Sequence, residues 1–424
     1  MSMNCKIEKS KLRGVISCPP NKSYTHRAIF LSSLVNGKSL VKNVLRSRDT
    51  NATIEICKSL GAEIQEAGNN LKVKGIDKFD DEDLVLDASN SGTTIRIAAA
   101  ISAVRNGKTI LSGDESLRKR PMRQLVDALE SLGAKCESND GKPPLSVTGK
   151  IRGGEITIPG NVSSQFISAL FIVAPLTEDG VTVNISSDLV SKPYLDATVS
   201  IMKKFGVEVE VVEPYKKYRV EPQEYRHATV TIPSDFSSVA LLLSAAILVG
   251  DGFEIKVSIG DLAQGDEAII DILEKLGVVI SLHNNVIKVK APEKLLGGKF
   301  DLSNTPDLLP PLSILALKSG FPIELYNVKH ARYKETDRIA ILARELQKIG
   351  VKVTEKDDGL ILGPPDQAKG AKLNSEDDHR LFMAFCIAGM YVGDCEVSNP
   401  ESVDVSYPSF ISDMNSVGAR ITTV

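Results

Sequence analysis

The chain has 424 residues, 42% of them hydrophobic and 25% charged, which is typical of a globular protein with two or three domains. A formal net charge of −3 and a pI of about 6.1 provide no electrostatic reason to expect a nucleic acid partner. Six scattered cysteines without a C-x-x-C pair favour buried thiols in a reducing compartment over disulfides or a zinc site. The start of the chain lacks an apolar signal core, and the longest apolar run, 239–249, is too short to span a bilayer. We therefore expect a cytoplasmic protein that binds neither nucleic acid nor a membrane.

The first chemically informative segment is Pro19–Arg27, which leads into an apolar helix predicted over 28–35. We expect Ser23 to cap this helix, with Lys22 just before its positive end and Arg27 one turn further on the same face. Backbone amides, a lysine and an arginine at one helix start are typical of an anion site. A capped surface helix with solvated charges is the alternative interpretation.

Two further segments repeat this pattern. The run Ser89–Arg96 places small polar residues and Gly92 before a helix, and glycine lets a ligand approach the backbone closely. The basic cluster Arg118-Lys119-Arg120 precedes a helix predicted to begin at Pro121. An ordinary turn and a solvated basic face would explain the same residues.

Hydroxyl and amide side chains stand at two later helix starts. Asn161–Gln165 precedes an apolar helix predicted over 166–174, and Ser191–Tyr194 follows one strand later. These groups suit phosphate or sugar-like oxygen atoms, although plain helix capping would use them equally well.

The C-terminal half contains the most specific segment, His330–Arg338, which we expect to open a helix ending at Gly350. Lys334 and Arg338 are four residues apart and would share one helical face. Exposed ion pairs would explain the charges but not their position between a strand and a helix. A second segment, Asp378-His379-Arg380, precedes a helix predicted over 381–390.

A Leu-Gly pair or a close variant recurs six times, at Gly61, Gly133, Gly206, Gly277, Gly350 and Gly418. Successive glycines are separated by 72, 73, 71, 73 and 68 residues. Each ends a helix-like segment and precedes a strand-like one, as expected of a glycine in a left-handed helix cap. Six copies at one period predict one α/β unit built six times.

Three units per domain place a boundary near the strand Ala228–Ile232. The last unit lacks closing strands, whereas the first residues read as strands without a helix. We therefore predict one domain over 20–230 and a second over 1–19 plus 231–424, with the N-terminal strands completing the last unit. The predicted active site lies in the cleft between them.

Taken in order, these segments resemble the 5-enolpyruvylshikimate-3-phosphate synthase family over essentially the whole chain. The specific matches are Asn21-Lys22-Ser23, the run Lys334–Arg338, and Asp378-His379-Arg380. The resemblance implies an α/β fold with two inside-out barrel domains, each of three βαβαββ units. It implies no cofactor and no metal.

The implied reaction transfers the enolpyruvyl group of phosphoenolpyruvate to the 5-hydroxyl of shikimate 3-phosphate and releases phosphate through a tetrahedral intermediate. This step belongs to the shikimate pathway to chorismate and the aromatic amino acids. The expected partners are the two small-molecule substrates, and we expect a monomer, with the 20–230 domain on the shikimate 3-phosphate side.

The resemblance also implies the site residues. Asp307 would contact the shikimate hydroxyls and deprotonate the nucleophile, and Glu335 would protonate the methylene carbon, with Lys22 as the third catalytic residue. How the proton returns to Glu335 stays open. Phosphoenolpyruvate would be held by Lys22, Gly92, Arg120, Gln165, Arg338 and Arg380. Shikimate 3-phosphate would be held by Lys22, Ser23, Arg27, Ser163, Ser164, Gln165, Ser191, Tyr194, Asp307 and Lys334.

Two departures from the family pattern and two alternatives remain. Val405 stands where many relatives have a lysine that contacts phosphoenolpyruvate, and His330 aligns near the position of an asparagine that contacts shikimate in some members. UDP-N-acetylglucosamine enolpyruvyl transferases share the fold but usually have a cysteine at the position of Glu115. A non-catalytic anion-binding repeat protein would retain the scaffold but lose Asp307 or Glu335.

Overall fold

The computed structural model describes residues 3–424, which form two compact units. The N-terminal unit comprises Pro20–Pro233 and Gly260–Gln264. The C-terminal unit comprises the chain up to Pro19, Ser234–Ile259, and the chain from Gly265 onward. The main break thus follows Pro233 rather than residue 230, and the short segment Gly260–Gln264 joins the N-terminal unit. Residues 1 and 2 of the predicted segment 1–19 lie outside the described residues.

The described part of the chain contains short strands that alternate with helices along its length. In chain order, the strands are β1 (Asn4–Glu8), β2 (Leu12–Ser17), β3 (Lys38–Lys42), β4 (Glu63–Ala67), β5 (Asn70–Lys74), β6 (Leu84–Asp87), β7 (Thr109–Ser112), β8 (Lys135–Asn139), β9 (Lys142–Thr148), β10 (Gly154–Ile158), β11 (Val181–Ile185), β12 (Glu210–Glu213), β13 (Lys217–Val220), β14 (Thr229–Thr231), β15 (Gly250–Lys256), β16 (Val279–His283), β17 (Val286–Lys290), β18 (Gly298–Asp301), β19 (Ile323–Tyr326), β20 (Lys352–Lys356), β21 (Gly359–Gly363), β22 (Lys372–Leu373), β23 (Cys395–Ser398) and β24 (Arg420–Thr423).

The α-helices are α1 (Lys22–Ser33), α2 (Arg48–Ser59), α3 (Gly92–Ser102), α4 (Glu115–Arg118), α5 (Arg123–Ser131), α6 (Ser164–Val173), α7 (Lys192–Lys204), α8 (Phe236–Val249), α9 (Ile269–Lys275), α10 (Leu309–Ile314), α11 (Arg338–Lys348), α12 (His379–Val392) and α13 (Phe410–Ser416). Short 3-10 turns span Ala174–Leu176, Gly265–Ala268, Pro306–Leu308, Leu315–Lys318, Lys329–Tyr333 and Pro400–Val405. In residues 3–424, no helix is both long enough and apolar enough to cross a membrane.

The strands form six four-stranded sheets with one shared topology. In the sheet β6-β7-β9-β8, β6 pairs parallel with β7, and the β7–β9 and β9–β8 pairs are antiparallel. The other sheets follow the same order: β14-β3-β5-β4, β10-β11-β13-β12, β2-β15-β17-β16, β18-β19-β21-β20 and β22-β23-β1-β24. The sheets that begin with β6, β14 and β10 lie in the N-terminal unit. The sheets that begin with β2, β18 and β22 lie in the C-terminal unit. The prediction of six α/β repeats, three in each domain, is confirmed.

The two N-terminal strands join different sheets. β1 lies between β23 and β24 and pairs antiparallel with both, so it completes the last repeat. β2 instead pairs parallel with β15 in the fourth repeat, which corrects the prediction that both strands enter the last one. The reason is that β2 fills the place that an outer parallel strand occupies in every other repeat.

The six periodic glycines follow the helices as predicted. Each has a positive φ, from +78° at Gly206 to +110° at Gly133, a conformation that side chains other than glycine rarely adopt. At all six, the next strand begins two to four residues later. The glycines therefore set the point at which each outer helix turns into a sheet.

The core of each unit consists of apolar helices inside the sheets. In the N-terminal unit α3 packs against both α1 and α6, and in the C-terminal unit α8, α10 and α12 pack against one another. All of α3 is buried, and α12 is buried except for its last two residues. Because sheets cover the outside, the polar groups of these central helices are concentrated at their ends. The N-termini of the central helices position the site residues described below.

Candidate functional site

In the N-terminal unit, α1 begins at Lys22 and is capped by Asn21, whose side chain accepts a hydrogen bond of 2.8 Å from the Tyr24 amide. The prediction that Ser23 caps this helix is therefore wrong. The helix begins at Lys22, six residues before the predicted apolar run 28–35, so Ser23 lies inside it. The ammonium group of Lys22 lies 3.1 Å from a carboxylate oxygen of Asp49 in α2. Lys22 thus stands half-buried at the positive end of α1, beside a buried carboxylate.

Arg27 is a buried cation that bonds only to neutral oxygen atoms of the described chain. Its guanidinium donates to the Thr198 hydroxyl over 2.8 Å, and to the carbonyls of Ser23 and Tyr194 over 3.1 and 3.3 Å. Arg27 is 1% exposed, and burial lowers its pKa to about 10. A buried guanidinium without a carboxylate partner favours an anionic ligand nearby, because burying a charge without a counter-charge is costly.

A second pair of guanidinium groups surrounds the start of α3. A Cβ atom at Gly92 would lie 3.0 Å from an Arg120 nitrogen and 3.2 Å from an Arg96 nitrogen. Arg120 donates to the Asn90 side chain over 2.9 Å, and Arg96 donates to the side-chain oxygen of Gln165 at the start of α6. Gly92 thus leaves room between two buried cations and an amide, as an anion-binding surface requires. The helix after Arg120 begins at Arg123 rather than at Pro121.

The remaining predicted residues of this unit lie at the starts of α6 and α7. The Ser163 hydroxyl caps α6 by accepting from the Gln165 amide over 3.3 Å, and Ser164 is buried beside it. Ser191 precedes α7 with a left-handed φ of +56° and makes no capping bond with its side chain. Tyr194 lies in the first turn of α7, where its carbonyl accepts from Arg27. Ser191 thus holds a strained conformation next to the buried cation.

The C-terminal unit brings Asp307 together with three cations. One of its carboxylate oxygens lies 2.7 Å from Arg338 and 3.7 Å from Lys334, and the other lies 3.4 Å from Arg380. Burial raises the pKa of Asp307, but the charges of Arg380, Lys334 and Arg338 outweigh it and hold the pKa well below its usual range. Asp307 is therefore an ionised carboxylate within a cationic cluster.

Arg338 is the most heavily paired of these cations. Besides Asp307, its guanidinium donates to Asp378 over 2.7 Å and to Glu335 over 2.8 Å. Burial lowers the pKa of Arg338, and the three carboxylates more than reverse this effect, so the pKa is raised overall. Glu335 thus occupies the edge of the cluster that contains Asp307 and Lys334.

The backbone of this segment differs from the prediction. The turn Lys329–Tyr333 is a 3-10 helix, Lys334 lies outside any helix, and α11 begins at Arg338, capped by the Asp337 side chain. The prediction that Lys334 and Arg338 share one helical face is therefore wrong. Their side chains nevertheless meet at Asp307, because the irregular segment folds back toward the turn Pro306–Leu308.

His330 and Val405 are both buried in the C-terminal unit. Burial first, and then the charge of Lys334, lower the pKa of His330 to about 4, so its imidazole is neutral near pH 7. Val405 lies in the turn Pro400–Val405 and is 1% exposed, so this position provides an apolar side chain instead of a cation. Residues 3–424 contain no group of three or more His, Cys, Asp or Glu that could hold a metal ion.

Four site residues were not among the predicted ones: Asp49, Asn90, Arg96 and Asp378. Arg96 and Asp378 lie inside motifs that the sequence did single out. Asp49 contacts Lys22 across 27 positions, and no local pattern reports such a contact. Glu115 occupies the position where the alternative enzyme family usually has a cysteine. It is an exposed residue of α4 and pairs with Lys119.

Sequence similarity to known proteins identifies the family of this chain. The sequence model described as EPSP synthase (3-phosphoshikimate 1-carboxyvinyltransferase) matches residues 7–414. A protein named 3-phosphoshikimate 1-carboxyvinyltransferase from Nitrosopumilus maritimus is 62% identical over 419 residues, which are 99% of each chain. A protein of the same name from Methanococcus maripaludis is 39% identical over 422 residues, 98% of each chain.

Solved structures share the fold. An EPSP synthase from Acinetobacter baumannii superposes with a TM-score of 0.82 at 24% identity, covering 100% of both chains. The enolpyruvyl transferase NikO from Streptomyces tendae has a TM-score of 0.78 at 17% identity, covering 100% of this chain and 99% of that one. At these identities the two structures establish the two-domain α/β fold. With the sequence matches, they show that this chain belongs to the EPSP synthase family.

Proposed function

We propose that this protein is a carboxyvinyl transferase that joins phosphoenolpyruvate to the 5-hydroxyl of shikimate 3-phosphate and releases inorganic phosphate. The family membership supports this reaction, and one observation carries the assignment to this site. Asp307 is an ionised carboxylate flanked by Lys334, Arg338 and Arg380 in the C-terminal unit. Two phosphorylated, carboxylated substrates require such cations, and the transfer requires a carboxylate among them.

We assign shikimate 3-phosphate mainly to the N-terminal unit. Arg27 would provide the buried charge for its phosphate or carboxylate, and hydroxyl groups would bond its remaining oxygen atoms. The residues are Lys22, Ser23, Arg27, Ser163, Ser164, Gln165, Ser191 and Tyr194, joined by Asp307 and Lys334 of the C-terminal unit. The neutral surroundings of Arg27 support this assignment, since a substrate anion would be its first counter-charge.

We assign phosphoenolpyruvate to the guanidinium groups of both units. In the N-terminal unit the space at Gly92, between Arg120 and Arg96, would receive an anionic group, with Lys22 and Gln165 beside it. In the C-terminal unit Arg338 and Arg380 would provide further contacts. Arg338 is paired with three carboxylates, and Arg380 is paired with one of them, Asp307.

The chemical steps follow from the charges. Asp307 would accept the proton of the 5-hydroxyl as its oxygen bonds to C2 of phosphoenolpyruvate, while Glu335 in its protonated form would deliver a proton to C3. Glu335, now a carboxylate, would take a proton back from C3 as the bond between C2 and the phosphate oxygen breaks, which gives the enol ether. The released phosphate would carry away the proton that Asp307 took from the 5-hydroxyl. Asp307 is a weak base while three cations surround it. Substrate anions would neutralise these cations and thereby strengthen the base.

The experiment that tests this function is a phosphate-release assay with phosphoenolpyruvate and either of two acceptors. We expect release with shikimate 3-phosphate and none with UDP-N-acetylglucosamine. Release only with the sugar nucleotide would replace the assignment, and no release with either acceptor would remove the enzymatic function. The expected monomer and the expected cytoplasmic location stay predictions, which sedimentation and cell fractionation would test.

A further inference from the structure

Asp266 is a buried carboxyl group that the proposed chemistry does not use. It lies in the 3-10 turn Gly265–Ala268, and its residue is 4% exposed. One of its oxygens accepts a hydrogen bond from the hydroxyl of Ser237 in the first turn of α8. Its other oxygen, Oδ1, has no hydrogen-bond partner in the part of the chain that the structure describes. Buried carboxylate oxygens are normally satisfied, so a half-satisfied one suggests a carboxyl group that keeps its proton.

The charges around Asp266 belong to the cationic cluster of the C-terminal unit. The charges that act on Asp266 are those of Asp307 in the turn Pro306–Leu308, Arg380 at the start of α12, and Asp235 at the cap position of α8. Asp235 in turn accepts a hydrogen bond of 2.8 Å from Ser238. Asp266 is therefore within the electrostatic range of two carboxylates and one guanidinium, and that guanidinium is paired with Asp307 over 3.4 Å.

The balance of these groups favours the neutral acid. Burial and then the charge of Asp307 raise the pKa of Asp266 to about 7, against the lowering effects of the Ser237 hydrogen bond and of Arg380. Asp307 itself remains ionised between its cations. Two carboxyl groups that interact in this way are not both ionised without cost, and the three cations pair with Asp307.

We propose that Asp266 is a positioning residue of the carboxyvinyl transfer: its neutral acid leaves Arg380 available to the substrate anion, and its ionised form competes for Arg380. The inference rests on the proposed function, because it assigns Arg380 to phosphoenolpyruvate. The structural alternative is that Asp266 only holds Ser237 at the start of α8. An asparagine would serve that purpose equally well at every pH.

The two roles differ in how the binding of phosphoenolpyruvate depends on pH. Ionisation of Asp266 adds a negative charge beside Arg380, so the KM for phosphoenolpyruvate should rise as the pH passes neutrality. In Asp266→Asn this charge cannot form. Titration of the substrate and of lysines affects both proteins alike, so the ratio of the wild-type KM to the variant KM isolates the effect of Asp266.

The experiment measures KM and kcat for phosphoenolpyruvate from about pH 6 to about pH 8.5, in wild type, Asp266→Asn and a control, Asp271→Asn. Asp271 is an exposed residue of α9, in the same unit. We expect the ratio to rise about 5- to 10-fold across neutrality, as for one charge added near a buried guanidinium. The ratio for the control should stay constant.

A second variant, Ser237→Ala, removes the hydrogen bond that favours the ionised form of Asp266. It should shift the rise in KM to higher pH, by up to about one unit. This variant decides the question if Asp266→Asn does not fold. If the ratio of the wild-type KM to the Asp266→Asn KM does not change with pH, the inference is overturned. If only Ser237→Ala folds, the inference is overturned when the rise in KM has the same midpoint pH as in the wild type. Failure of the wild type to release phosphate would instead overturn the proposed function.

Discussion

Arg338 and Asp378 form a fully buried ion pair that joins the start of α11 to the start of α12. The guanidinium donates from Nε to one carboxylate oxygen over 2.7 Å and from Nη2 to the other over 3.3 Å. The same carboxylate caps α12 by accepting from the amides of Arg380 and Leu381. Asp378 therefore determines both the orientation of Arg338 and the point at which the helix bearing Arg380 begins.

Removing this carboxylate should destabilise the C-terminal unit. In Asp378→Ala we expect a loss of about 3–5 kcal/mol in the free energy of unfolding, because a buried pair is broken and a helix loses its cap. Urea denaturation measures the loss. The control is Glu55→Ala, which breaks the exposed pair between Glu55 and Lys58 and should cost less than about 1 kcal/mol. Equal losses in the two variants would contradict the role of Asp378.

Arg27 should determine the binding of shikimate 3-phosphate through its planar geometry as well as its charge. In Arg27→Lys the charge remains, but the bonds to Thr198 and to the two carbonyls cannot all form. We expect KM for shikimate 3-phosphate to rise about 30-fold or more, equivalent to about 2 kcal/mol, with a smaller change for phosphoenolpyruvate. Arg13→Lys, at an exposed arginine paired with Asp251, is the control. Similar increases for both substrates would argue against the assignment.

Gly92 should be needed for the space between Arg96 and Arg120. The methyl group of Gly92→Ala would lie 3.0 and 3.2 Å from their nitrogens, so the two side chains must move. We expect a several-fold rise in KM for phosphoenolpyruvate and little change in stability. In the control, Gly320→Ala, the nearest atoms are 3.5 Å from the new methyl group, an ordinary contact. An unchanged KM in Gly92→Ala would show that the anion binds elsewhere.

Asp266 should also make stability depend on pH. Its pKa is about 7 in the folded chain and near the ordinary value of 3.8 when unfolded, so the unfolded chain releases this proton first as the pH rises. The contribution is fully present below about pH 4, and it is lost progressively until about pH 7. Relative to Asp266→Asn, the wild type should lose up to about 4 kcal/mol over this range. Parallel stability curves for the two proteins would indicate that Asp266 is ionised in the folded chain throughout.

The fold could be predicted from the sequence because the same local signals occur in each of the six repeats. Gly133 and Gly206 end helices in the same way, and alternating apolar residues mark the strands that follow. The partner of β2 could not be predicted. Its parallel pairing with β15 joins residues more than 230 positions apart, and no tight turn connects the two strands as in a hairpin. Local signals thus identify a strand but not its sheet.

The site was predictable only where a helix start bears the chemistry. Lys22, Gly92 and Arg380 all lie in the first turns of buried helices, which periodicity identifies. The cap of α1 was misassigned because Asn21 and Ser23 are both good caps, and only the backbone decides between them. Asp266 gave no signal at all, since its burial depends on how Ser237, Asp307 and Arg380 pack around it.

The most direct test of the account compares phosphate release by the wild type and by Asp307→Asn, with phosphoenolpyruvate and shikimate 3-phosphate. Asp301→Asn serves as the control, at an exposed carboxylate six residues earlier that bonds to Ser303 and Asn327. If Asp307 is the base among the cations, kcat should fall about 10²- to 10⁴-fold in Asp307→Asn and remain near the wild-type value in Asp301→Asn. A folded Asp307→Asn variant that turns over at the wild-type rate would contradict the central claim.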